Sequence, residues 1–128
     1  LLCSTPYLQL FIYQQQQHMY ANWIGEISLP DLHRGLALVL QAVEQTGSSK
    51  LLNDNRFLTS LPVALEAWHN TDGMARLFRA GMHYVAWVYA ADAQARMLAD
   101  EAIERNDWPL TLSFEEYDVA IDWLQSMP

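Results

Sequence analysis

From Tyr84 to Ala90 the chain reads Tyr-Val-Ala-Trp-Val-Tyr-Ala, apolar throughout and without the alternation of a strand that shows one face to water. The run is far shorter than the roughly 18 apolar residues of a membrane helix. It suits a central parallel strand covered by helices on both faces. Such a strand is reached by a crossover and needs a layer on each side, so this segment predicts an α/β architecture. With 128 residues, 52% of them hydrophobic, the chain is expected to form a single domain, 1–128, around one core.

The rest of the chain supplies the other layers. Aromatic and β-branched density from Tyr7 to Tyr13, and Met19, Ala21 and Trp23 on one face of His18 to Ile24, predict two strands. The four glutamines Gln14 to Gln17 are short and polar enough to close an antiparallel hairpin. Ser28-Leu29-Pro30-Asp31 reads as an N-cap, a first-turn proline and an acid where the helix dipole favours one. Leu32, Leu36, Val39, Leu40 and Val43 then form an apolar stripe, and Gly47 supplies a left-handed stop. Lys50 to Asp54 predicts a third strand, parallel because a helix precedes it.

Ser60-Leu61-Pro62 is expected to open a second helical stretch through about Trp68, with Thr71 capping a further one to Ala80 before Gly81. Trp87, in the continuous apolar strand, is expected to be almost fully buried. Asp92 predicts the cap of a helix from Ala93 to Arg105 with Met97, Leu98 and Ile103 inward, and Leu110 to Ser113 a last strand. Ser113-Phe114-Glu115-Glu116 fits a Ser-x-x-Glu capping box ahead of Tyr117, Ala120, Ile121 and Leu124. The expected fold is therefore a four- to five-stranded mixed sheet, an N-terminal antiparallel hairpin followed by βα crossovers, packed with about four helices.

Charge and motif content narrow the function. Seven Lys+Arg against fifteen Asp+Glu, a formal charge of -8, argue against nucleic acid as a partner, because such a surface repels a phosphate backbone. The lone Cys3 has no partner for a disulfide, and Leu1 to Pro6 carry neither a basic region nor a long apolar stretch, so a cytoplasmic location is expected. His18, His33, His69 and His83 include no pair at metal-ligand spacing, and no glycine-rich cradle appears, so no metal or other cofactor is expected. There is no Gly-x-Ser-x-Gly elbow, Ser60 and Thr59 have no evident His and acid, Glu115-Glu116 falls in a capping turn, and Glu101 and Glu104 fall on a solvated helix face. No catalytic residue is assigned and no enzyme is expected.

The hairpin, the Ser-led helix, the strand ending in Asp54-Asn55-Arg56, the helix holding Trp68, the apolar strand after Gly81 and the closing Phe114-Glu115-Glu116 to Trp123-Leu124 together resemble small stand-alone bacterial proteins of the STAS superfamily. These are similar to the anti-sigma-factor antagonists and also described as STAS/SEC14-like. The resemblance spans nearly the whole chain and implies a regulatory or ligand-sensing module rather than a catalyst. It also implies a phosphorylatable serine at the start of the helix after the third strand, in an Asp-Ser-Ser-Gly-like context. Here that stretch runs from Asp54 to Pro62, and Ser60 matches by place alone.

Asp54, Asn55 and Arg56 stand where a parallel strand hands over to the next element, the rim at which open α/β sheets place ligands. With Ser60 at a helix N-terminus and Trp68 nearby, the rim is expected to meet a protein partner or a small anionic ligand. The expected function is a non-enzymatic regulatory or protein-interaction module of STAS type, with homodimerisation left open. The alternatives are a small-molecule or lipid carrier with an apolar pocket and, third, an enzyme of unassigned chemistry.

Overall fold

A computed structural model describes residues 1–128. Along the chain lie β1 (Cys3–Ser4), β2 (Leu8–Tyr13), β3 (His18–Trp23), β4 (Gly25–Glu26), α1 (Leu29–Thr46), β5 (Lys50–Asp54), β6 (Leu58–Ser60), α2 (Leu65–Thr71), α3 (Gly73–Arg79), β7 (Tyr84–Val88), α4 (Ala93–Arg105), β8 (Leu110–Phe114) and α5 (Tyr117–Ser126). Six strands form a mixed sheet in the order β1-β2-β3-β5-β7-β8, antiparallel through β3 and parallel beyond it. This is the expected α/β sheet with one strand more, because Cys3 and Ser4 pair with Leu10 and Gln9 outside the hairpin.

α1 forms as its sequence predicts. The Ser28 hydroxyl accepts from the Asp31 N–H at 3.2 Å, and Gly47, at φ 68°, returns its N–H to the Val43 carbonyl. Within it Gly35 serves packing. A Cβ there would stand 2.5 Å from the Trp23 ring, so the helix approaches β3 as closely as a bare Cα allows.

The sheet is covered unequally. Side chains of α1, α3 and α4 meet those of β2, β3, β5 and β7 in one core cluster, with α2 packed against it through Ala67 and Trp68. On the opposite face α5 alone buries Ala120 and Leu124 against Leu52, Ala86 and Val88.

Five local expectations are corrected. Ser60 does not begin a helix: it ends β6, which pairs with β4, while the Gly25 and Ile27 N–H groups bond the Phe57 and Ser60 carbonyls at 2.9 Å each. These ladder partners, distant in sequence, outweigh the local Ser-Leu-Pro signal, and α2 starts at Leu65. The second boundary lies at Asp72, left-handed at φ 51°, rather than at a Thr71 cap. The capping box does not form: Ser113 belongs to β8 and bonds the Tyr89 hydroxyl at 3.0 Å, while Glu115 takes both ends of Arg96 at 2.8 and 2.6 Å. Trp87 is half-buried, because it borders a cavity instead of solid packing, and of the expected inward side chains of α4, Met97 is exposed, Ile103 half-buried and Leu98 fully buried.

Candidate functional site

The carboxyl end of β5 sets out two sites by simple alternation. Successive strand residues face opposite sides of a sheet, so Asp54 points toward α5 while Asn53 and Asn55 point toward the other helices. All three are buried.

On the α5 side, the fully buried Asp54 accepts from the Tyr20 hydroxyl at 2.5 Å and from the Arg56 backbone N–H at 3.0 Å. Arg56 adds Nε at 3.0 Å and Nη2 at 2.9 Å. The guanidinium also lies over the rings of Tyr117, at 4.7 Å, and Phe57, at 5.3 Å, positions suited to cation–π attraction. Burial, then the bond to Asp54, pushes the Tyr20 phenol above its ordinary range, and the bonds to Asp54 raise Arg56 likewise. Arg56 is therefore an internal partner whose fork is already engaged.

Around this pair spreads an aromatic face. Phe11 and Tyr20 stand opposite each other across the hairpin, with ring centroids 5.9 Å apart; Tyr13 lies 6.2 Å from Phe11, and Tyr117 sits edge-on to Tyr20 at 6.1 Å. α5 packs over β5, β7 and β8, leaving these β2 and β3 side chains without a covering helix. Tyr13 is 39% and Phe57 53% exposed. Beside them His18 is buried, and burial foremost lowers its pKa, opposed by the Gln16 backbone and reinforced by the Lys50 charge.

On the other side a cavity of about 140 Å³ lies between the sheet and α1 to α4. Trp23, Trp68 and Trp87 line it, together with Asn53, Asn55 and His69. Trp23 Nε1 donates to Asn53 Oδ1 at 2.9 Å. At its edge His69 Nε2 stands 2.7 Å from Glu101 Oε1 without hydrogen-bond alignment, and Arg105 Nε is 3.7 Å from the same oxygen.

The five rim residues thus do not share one surface. Asp54 and Arg56 are joined on the α5 side, Asn55 and Trp68 border the cavity, and Ser60 sits apart on β6. The helix N-terminus expected at Ser60 to attract an anion is not there. Trp108 is half-exposed against Phe78, beside the β8 start where Leu110 pairs with Tyr84, whereas Asp54 pairs with Val88 at the other end of β7. Sequence reading passed over Tyr20, Tyr117 and Asn53 as site residues, and set aside His69 for want of a metal-ligand pair and Glu101 as lying on a solvated helix face. A signal existed for the first and third, since Phe11 and Tyr13 alternate in β2 as Tyr20 and Asn22 do in β3, and Asn53 and Asn55 are two apart in β5.

A mixed sheet led by an antiparallel hairpin, with most helices on one face and a closing helix on the other, is a SpoIIAA-like, STAS-type fold. Solved structures carry that assignment. The unphosphorylated anti-sigma factor antagonist SpoIIAA superposes with a TM-score of 0.63 at 11% identity, covering 94% of this chain and 99% of that one. A Shewanella loihica PV-4 protein of the DUF3478 family, described as having a SpoIIAA-like fold, gives 0.62 at 17% identity over 95% of this chain and 97% of its own. The Bacillus cell fate determinant SpoIIAA in its phosphorylated form gives 0.54 at 13% over 91% and 97%. No family model and no curated protein sequence matches the chain. No helix is long and apolar enough to cross a membrane.

Proposed function

We propose that the chain is a non-enzymatic regulatory module of STAS type that works by binding another protein through the open aromatic face of β2 and β3. The observation that carries this reading is the set of Phe11, Tyr13 and Tyr20 rings at the edge of the α5 cover, bordered by Tyr117 of α5 and continued by Phe57 on Arg56. Half-buried aromatics beside exposed ones such as Tyr13 and Phe57 are the usual anchors of protein interfaces. The likeness to an anti-sigma factor antagonist points the same way. Glu116 and Asp118 are exposed around the start of α5, beside Tyr117, and the chain carries a formal charge of -8, so the partner that fits presents aliphatic and arginine side chains, the latter able to stack on the rings.

A photo-crosslinking amino acid placed at Phe57 or Tyr13 in cells of the source organism tests the reading. One discrete protein is expected from both positions, with none from the exposed Met97 of α4, and its capture should weaken as salt is raised. The same products from all three positions would sink it. A Tyr13→Ser change in the Phe57 probe strain should reduce the captured band without altering the protein's Tm.

A further inference from the structure

The cavity between helices and sheet has the composition of a ligand site. Empty packing voids are apolar, yet this one receives two buried amides, Asn53 at 9% and Asn55 at 6% exposure. Trp23 occupies Asn53 Oδ1. Asn53 Nδ2 and the side-chain amide of Asn55 form no hydrogen bond to the protein, so their hydrogen-bonding capacity is open to whatever enters the cavity. The remaining walls are mostly indoles and aliphatic side chains, with one polar edge formed by His69, Thr71, Asp72, Glu101, Arg105 and Asn106.

Charge decides what could fill it. Glu101 is paired with Arg105 through Oε1 and lies beside His69, its Oε2 buried without a hydrogen-bond partner, and Asp72 is paired with Arg79 at 3.3 Å. Arg56, the cation an anion would seek, lies on the opposite face of the sheet, bound to Asp54. An anion gains no free cation inside, and a cation would have to compete with Arg105 for Glu101. The volume suits one ring, since an apolar cavity of about 150 Å³ accepts benzene.

We propose that this cavity binds a small uncharged molecule, a single ring or an aliphatic skeleton of that size bearing one amide- or carbonyl-type group. The apolar part lies among Trp23, Trp68 and Trp87, and the polar group exchanges hydrogen bonds with Asn53 Nδ2 and the Asn55 amide. The site is on the other face from the proposed partner surface and stands or falls independently of it.

Four probes sharing a ring but differing in charge and hydrogen bonding, namely benzamide, toluene, benzoate and benzylamine, are titrated to millimolar concentration into isotope-labelled protein. The indole and asparagine side-chain resonances are followed. Benzamide is expected to bind saturably and to shift Trp68, Trp87, Asn53 and Asn55, with benzoate and benzylamine about tenfold weaker. Asn55→Leu conserves volume and leaves the backbone bonds of residue 55 in place, so the protein should fold. It should weaken benzamide about tenfold while sparing toluene. Ala102→Leu, filling the cavity from α4, should weaken every probe. A charged probe binding as well as benzamide, equal losses of benzamide and toluene in Asn55→Leu, or no saturable shift from any probe would each overturn the proposal.

Discussion

The two faces of the sheet differ in depth and in what they leave open. One gathers 22 buried residues under α1 to α4, and the other gathers five under α5. The deep face holds its polar chemistry inside, in a cavity between asparagines and indoles. The shallow face holds its polar chemistry at the border of the cover, where Asp54 and Arg56 fix the edge of an aromatic surface. One helix cannot cover a six-stranded sheet, so half of that face stays available for contact, while cohesion rests mainly on the other.

The largest test of this contrast is Leu98→Ala. Leu98 is fully buried in α4 on the deep face, and its truncation should cost about 3 kcal/mol, read from urea unfolding midpoints. Leu124, equally buried in α5, lies in a layer one helix thick that can close around the loss, so Leu124→Ala should cost about 2 kcal/mol. Equal losses would mean that the thin cover packs as rigidly as the thick one. Next comes Asp54→Ala, which strips the Tyr20 hydroxyl and the Arg56 guanidinium of their acceptor. Arg56 is 39% exposed and can turn to water, so about 2 kcal/mol is expected from the same measurement. A loss under about 0.5 kcal/mol would show that the pair does not hold the border.

The smallest effect is a pH dependence from His18, whose folded pKa lies below its ordinary 6.5. Between the two values the unfolded chain binds more protons than the folded one, so the stabilising contribution is complete above about 6.5 and is lost as pH falls toward the folded value. Tm should therefore drop on acidification below about 6.5, and His18→Phe should flatten that part of the profile. An unchanged profile in the variant would assign the acid sensitivity elsewhere.

Elements specified by neighbouring residues were legible. Ser28, Pro30 and Gly47 delimit α1, Asp92 caps α4 with its carboxylate 2.9 Å from the Ala95 N–H, and Gln14–Gln17 closes the hairpin. What escaped depends on distant partners. The β4–β6 ribbon joins Gly25 and Glu26 to residues more than thirty positions on, and neither strand is long enough to show a period. Ser113 matches a capping box until Tyr89 claims its hydroxyl. Of the candidate site, Asp54-Asn55-Arg56 stood out as a charged turn after a parallel strand, but its division between two faces depends on which neighbour meets each side chain. Trp87 carries the same lesson: a strand's position in the sheet was legible, but not the cavity its side chain would border.

The alternation at Asn53, Asp54 and Asn55 also sets what kinds of genetic change the protein can absorb. Substitutions can retune the carboxylate or either amide separately. A single inserted or deleted codon within β5, however, would rotate the residues beyond it by half a turn, sending a carboxylate among the indoles and an amide to the tyrosine and the guanidinium. Both sites would fail together from a lesion that alters neither side chain's identity, so in any lineage of this chain the length of β5 should vary far less than its composition.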